Sequence, residues 1–225
     1  MKCAYITLLS SDTYFWGVVC LHKSLQFVQS KYPLEVIITD NVSNETIDNL
    51  NKLGIKYRVF PYKEFMNSTS NIPGTINKFY IYEFKEYDKV CFLDGDCLVK
   101  KNIDSVFIYS TPGLVTSADF IYGGMFLVNP NDYPSFNFIY DNYKDRRNDD
   151  MVLPLLYNFK NSSALLGIFL QNIFHMSDNS DIYEQHERKY WNLLNITSVE
   201  DIDNLLENLD EKLTLFSKIY LGEEV

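Results

Sequence analysis

Short apolar runs alternate with amphipathic stretches through the first hundred residues. Residues 3–8 read as a buried strand, and the polar turn Ser10-Ser11-Asp12-Thr13 can cap a helix carrying Val18, Leu21, Leu25 and Val28 on one side. Residues 35–39 repeat the strand, Ser43 caps a helix with Ile47, Leu50 and Leu53 in phase, and Gly54 closes it. A third strand over 57–60 follows. A loop over 67–74 then leads to a helix around 77–84, and a strand over 90–93 comes next. Beyond it, 114–116 and 125–128 look like strands, and 133–159 is helical apart from the charged turn 144–150. A last buried strand over 168–174 ends at His175.

This alternation predicts an α/β fold, a single Rossmann-like domain whose central sheet is mostly parallel and covered on both faces, over residues 1–191. Residues 192–225 form a helical extension: Ser198 is a cap with Asp201 three residues on, and Ile202, Leu205, Leu206, Leu209, Leu213 and Phe216 share one stripe. That stripe packs on the body or at a homodimer interface.

The strand Val90-Cys91-Phe92-Leu93 stops at Asp94-Gly95-Asp96 and resumes as Cys97-Leu98-Val99. Carboxylates at the end of a buried strand are costly unless paired or bound to a cation. Gly95 between them lets a ligand approach the backbone. In open α/β sheets ligands sit beyond the carboxyl ends of the strands, where the Ser10 turn also lies. Two oxygen ligands with open positions suit Mg²⁺ or Mn²⁺, the usual partners of a diphosphate. His175, or its rival His186, would complete the set and favour Mn²⁺.

Composition narrows the partners. With 225 residues, 46% of them hydrophobic and 16% aromatic, the chain can bury one sizeable core. A net charge of -10 argues against nucleic acid and means that an anionic ligand needs a bound cation. Cys3, Cys20, Cys91 and Cys97 contain no Cys-x-x-Cys pair and read as reduced, buried thiols. No apolar run reaches the ~20 residues of a membrane span and the N-terminus does not read as a signal peptide, so a cytoplasmic setting is expected.

Cys91 to Val99, with Asn102-Ile103-Asp104 and Phe107 just after, resembles the metal-binding segment of glycogenin and its relatives in glycosyltransferase family 8. Ala4-Tyr5-Ile6-Thr7-Leu8 with Asp12 and Tyr14 resembles that family's uridine-binding opening. Thr75-Ile76-Asn77-Lys78-Phe79 resembles its donor-contacting segment, and Gly124-Met125-Phe126-Leu127-Val128-Asn129-Pro130 resembles the strand after its sugar-facing loop. The resemblance implies a GT-A-type fold and the retaining transfer of a hexose from a UDP-sugar, UDP-glucose the first candidate, to a hydroxyl of a sugar, glycan or protein side chain. It implies that Asp94, Asp96 and His175 hold Mn²⁺ or Mg²⁺, and that Leu8, Ser10, Ser11 and Tyr14 hold the nucleoside. Lys78 and Lys189 would add positive charge at the diphosphate, with Gly95, Asp119, Gly123 and Gly124 around the donor and Asp149 or Asp150 at the reacting carbon. The chain departs from the family's Asn-Ser-Gly at Tyr122-Gly123-Gly124, and from its Gly-Gly-Asp-Gln turn at Arg147-Asn148-Asp149-Asp150.

Plainer roles compete for each residue: a solvated lysine at 78, core packing for Tyr14, and a helix N-terminal acid pair at 149–150. A dehalogenase-like phosphatase would place its Asp-x-Asp on the first strand, with Thr or Val where Leu98 stands here. The remaining alternative is a non-catalytic nucleotide-sugar-binding or self-glycosylated priming protein on the same fold.

Overall fold

The computed structural model describes residues 1–68, 73–116, 121–156, 163–165, 173–175 and 196–212. Strands β1 (Cys3–Leu9), β2 (Leu34–Thr39), β3 (Lys56–Phe60) and β4 (Lys89–Leu93) are linked by helices α1 (Phe15–Phe27) and α2 (Asn44–Lys52) and by a 3₁₀ helix over Pro73–Glu83. After β5 (Cys97–Val99) come β6 (Gly113–Thr116), β7 (Ile121–Val128), α3 (Phe136–Tyr143), α4 (Asp149–Leu156), β8 (Ser163–Leu165), β9 (Ile173–His175) and α5 (Val199–Glu207).

The main sheet has the order β3-β2-β1-β4-β7-β6-β8. The pairs β3–β2, β2–β1, β1–β4 and β6–β8 are parallel, while β7 runs antiparallel to both β4 and β6. One reversed strand in seven keeps the sheet mostly parallel. Alternate residues feed opposite faces, as a strand's period of two requires. Ala4, Ile6, Val90, Phe92, Phe126 and Val128 join one apolar cluster, whereas Cys3, Tyr5, Cys91, Leu93, Met125 and Leu127 join another. Both faces are therefore buried, and near-continuous apolar runs are what such strands need. All four cysteines are free and buried, and burial raises the Cys20 thiol to about 12.

Two expectations change, and one strand was not expected. The helix expected around 77–84 is a 3₁₀ helix that begins at Pro73; its β-branched and aromatic residues are weak α formers, and Asn77 turns its side-chain amide onto the Gly74 carbonyl at 2.7 Å. The last buried strand expected over 168–174 is described only at β9, which pairs antiparallel with β5 in a separate ribbon. Hydrophobicity does not name a strand's partner, so this placement was invisible in the sequence. The three-residue strand β8 has no periodic signal at all.

The C-terminal helix α5 covers its own chain. Ser198 and Asp201 form a reciprocal capping box, and Ile202, Leu205 and Leu206 are buried in one cluster with Val18, Val19 and Cys20 of α1 and Leu98 of β5. Lys23 meets Asp203 at 3.1 Å on the rim. Leu213 and Phe216, expected on the same stripe, lie outside the described residues. Replacing the cap, Ser198→Ala, is expected to lower stability by about 1 kcal/mol. Urea unfolding checks this, and hydrogen exchange should place the loss in α5.

Candidate active site

Asp94 and Asp96 stand where β4 leaves the sheet. The Asp94 amide donates to the Gly124 carbonyl of the neighbouring β7 at 2.9 Å, and the turn closes with the Cys97 amide on the Asp94 carbonyl at 3.0 Å. Gly95 has no room for a side chain, because a Cβ would lie 2.9 Å from the Leu8 carbonyl and 3.2 Å from Val18. The glycine thus lets the aspartate turn dock on the end of β1. Asp96 is 7% exposed. β5 is then fixed under α1, its Val99 amide donating to Ser24 Oγ at 3.0 Å. The β5–β9 register sets the backbone of His175 opposite Cys97, the residue after Asp96.

Lys78 projects from the 3₁₀ helix into the same place. Its Nζ lies 2.9 Å from Asp94 Oδ1 and 2.8 Å from Asp149 Oδ2, donates to the Gly123 carbonyl at 3.4 Å, and sits 5.5 Å from the Phe92 ring centre. Burial works against the ammonium, but Asp149 and then Asp94 outweigh it and push the lysine above its ordinary range. Lys78 therefore stays charged. It ties the end of β4 to the N-terminus of α4.

The β6–β7 pairing slips between Leu114 and Val115, whose partners are Phe126 and Tyr122, so the bulged stretch of β7 carries Gly123 and Gly124. A Cβ on Gly123 would stand 2.5 Å from Asp149 Oδ2 and 2.7 Å from Asp150 Oδ1. Only a bare backbone admits the acid pair. The Gly123 amide donates to Asp150 Oδ1 at 3.1 Å. Asp149 is 5% exposed; Asp150 opens to solvent as a residue, while its carboxyl end turns in against the Gly123 amide and Asp149. Burial first, and the Asp149 charge second, raise Asp150 to about 6, against the pull of Lys78.

At the end of β1, the Ser10 carbonyl accepts from Asn41 Nδ2 at 2.9 Å, while Asp12 Oδ1 accepts from the Ser43 amide at 3.1 Å and from Ser43 Oγ at 3.0 Å. These bonds strap the β1 and β2 loops together. Ser11 caps the short 3₁₀ turn Asp12–Tyr14. Leu8 and Tyr14 are half-buried against the core.

The family model described as glycosyl transferase family 8 matches residues 5–118, half of the chain. The chain belongs to glycosyltransferase family 8. Over 114 residues it is 40% identical to galactinol synthase 6 of Arabidopsis thaliana, a match covering 48% of this chain and 34% of that protein. It is 27% identical to a putative UDP-glucuronate:xylan alpha-glucuronosyltransferase 3 of the same plant over 150 residues, 64% of this chain and 24% of the relative. The matched region thus spans about a third or less of the length of these curated relatives. Among solved structures, the glycosyltransferase GlyE of Streptococcus pneumoniae superposes with a TM-score of 0.62 at 14% identity, covering 92% of this chain and 64% of that one. The galactosyltransferase LgtC, solved with donor and acceptor sugar analogs, gives 0.56 at 17% identity over 72% of this chain and 73% of its own. Both show the fold, the GT-A type.

In this family 8 chain the structure gathers Asp94, Gly95, Asp96, Lys78, Gly123, Gly124, Asp149 and Asp150 around the carboxyl end of β4. Leu8 and the Ser10 turn lie beside them. His175 enters by its backbone, while Asp119, His186 and Lys189 lie outside the described residues. Two assignments shift in character: the described contacts of Gly123 are to Lys78 and Asp150, and Ser11 is occupied as a cap. Two positioning residues carried no signal. Asn41, which reaches the Ser10 carbonyl, and the buried Asn77, which donates to the Lys63 carbonyl at 2.7 Å and accepts from its amide at 3.0 Å, each add to a local bond a partner too far along the chain for a local motif.

Lys78→Met should cost about 3–5 kcal/mol in urea unfolding, because it strips the cation from a buried carboxylate. Adding Asp149→Asn should recover part of the loss. Between pH about 4 and 6 the folded chain keeps a proton on Asp150 that the unfolded chain has released, so this group's contribution to stability falls as pH rises through that window. Asp149→Asn should move the Asp150 titration, followed by carboxyl carbon NMR, down toward its ordinary value of 3.8.

Proposed function

We propose that this chain is a metal-dependent hexosyltransferase that moves a hexose from a UDP-sugar, UDP-glucose the first candidate, to a hydroxyl acceptor with retention of anomeric configuration. The observation that carries this reading is the Lys78 bridge, which joins the strand-end carboxylates and the Asp149-Asp150 pair in one buried network. A diphosphate site and an anomeric-carbon site must be adjacent in such an enzyme.

To Asp94 and Asp96, which sit on one turn, and to His175, whose backbone pairs opposite Cys97, we assign Mn²⁺ or Mg²⁺; among the described residues no three metal-ligating side chains converge. When bound, such an ion supplies Lewis-acid stabilisation of the charge left on the departing diphosphate. Lys78 adds a fixed positive charge at the same edge. Leu8, Ser10, Ser11 and Tyr14 border the position of the nucleoside, with Asp119 and Lys189 as further donor contacts.

Asp149 is locked against Lys78 and buried, so its part is to hold that lysine and shape the field. Asp150 is the open member of the pair. Raised to about 6 yet ionised in neutral solution, it is the carboxylate we assign to the sugar, as nucleophile or as stabiliser of an oxocarbenium-like state. The four reduced, buried thiols support a cytoplasmic setting.

A donor screen reading UDP release with Mn²⁺ tests the reaction, with mass spectrometry of the protein to detect self-modification. Tight UDP binding without turnover of any UDP-sugar would leave the non-catalytic binding reading instead. Asp96→Asn is expected to abolish metal-dependent UDP binding; affinity that survives both this change and EDTA removes the metal. His175→Ala should weaken Mn²⁺ affinity more than His186→Ala, and the opposite order reassigns the third ligand.

A further inference from the structure

The turn leading into α4 carries Arg146 and Arg147, the one adjacent arginine pair in a chain that has four arginines and a net charge of -10. Arg58, by contrast, pairs with Glu35 and Glu86. Among the described residues, no carboxylate lies within ion-pair distance of Arg146 or Arg147. Both line an open surface cleft of about 510 Å³, together with Asn67, Ser68, Asp145 and Met151.

The cleft is formed by two segments tied together. The Met66 amide donates to the Lys144 carbonyl at 2.7 Å, and Asn67 Nδ2 donates to the Asp145 carbonyl at 2.9 Å. These bonds hold the loop after β3 against the arginine turn. The acid pair does not line the cleft but is close to it along the chain: Arg147 is two residues before Asp149, within ~7 Å of backbone, and Met151 directly follows Asp150. Among the lining residues two guanidiniums stand against one carboxylate, Asp145, in an otherwise acidic molecule. Planar guanidinium forks match phosphate and carboxylate oxygens in pairs. Met151, 43% exposed, offers apolar surface for a carbon skeleton.

We infer that this open cleft is the acceptor's anion subsite, taking a phosphate or carboxylate group carried by an acceptor sugar while its hydroxyl is presented at Asp150. The inference rests on the reading of Asp94, Asp96 and Asp150 as the donor and reaction site. An acidic chain gains twofold from such a subsite, because the charge it repels elsewhere is admitted only beside the reacting carbon.

Isothermal titration tests it on the whole chain with UDP and Mn²⁺ saturating, using glucose 6-phosphate, glucuronate and glucose as probes. At least one anionic sugar should bind ten-fold or more tightly than glucose, and which one identifies the anion. R146A/R147A should lose at least ten-fold of that affinity and R146K/R147K less. K100A/K101A, which removes equal charge on the β5 side, should lose none. Equal affinity for charged and neutral sugars, no binding of either anion, or an unchanged R146A/R147A overturns the subsite; circular dichroism confirms that each variant is folded. Failure of UDP and Mn²⁺ to bind is read in the same instrument beforehand and strikes the donor reading alone, since the same sugars can be titrated without them.

Discussion

The Lys78 ammonium is buried between Asp94 and Asp149, and an ammonium removed from water is tolerated only where carboxylates and carbonyls replace its hydration. Meeting that condition requires four elements to arrive together. The 3₁₀ helix delivers the lysine, β4 ends at Asp94, the bulge of β7 turns the Gly123 carbonyl inward, and α4 starts with Asp149. The polar network is thus a register mark for the fold as well as a candidate reaction site. Its cost is offset by the aromatic floor of Phe92, Phe126 and Phe79, which packs the same face of the sheet.

Two glycines set the tolerances. Gly95 lets the Asp94 turn rest on the Leu8 carbonyl, and Gly123 lets two carboxylates crowd onto the backbone of β7. Elsewhere the same close approach would force a side chain into a carbonyl or a charge. The departure Tyr122-Gly123-Gly124 from the family pattern therefore has a physical function in this chain: it makes room for an acid pair that includes Asp150. The crowding also separates the pair into two characters, a buried ion-paired Asp149 and an open Asp150 whose proton is harder to remove.

Much of this was legible in advance, for identifiable reasons. The βα alternation over the first hundred residues showed in the apolar runs of β1, β2 and β4, since strands buried on both faces leave no polar alternation to confuse the reading. The Ser43 and Ser198 caps, the Gly54 stop and the Asp94-Gly95-Asp96 turn were visible because each acts within a few residues. The β5–β9 ribbon and β8 were not, because they depend on partners tens of residues away.

The same division runs through the site. By itself the sequence determined the fold class, the end of β4 as a carboxylate site and the candidate residues around it, because strand burial and turn chemistry are local. Only the tertiary structure decided that Lys78 joins Asp94 to Asp149, that Gly123 cradles Asp150, and that Arg146 and Arg147 share an open cleft with Asn67 and Met151. Those relations span 16 to 80 positions of chain. Charge pairing acts through space, and a sequence shows which charges exist long before it shows which of them meet.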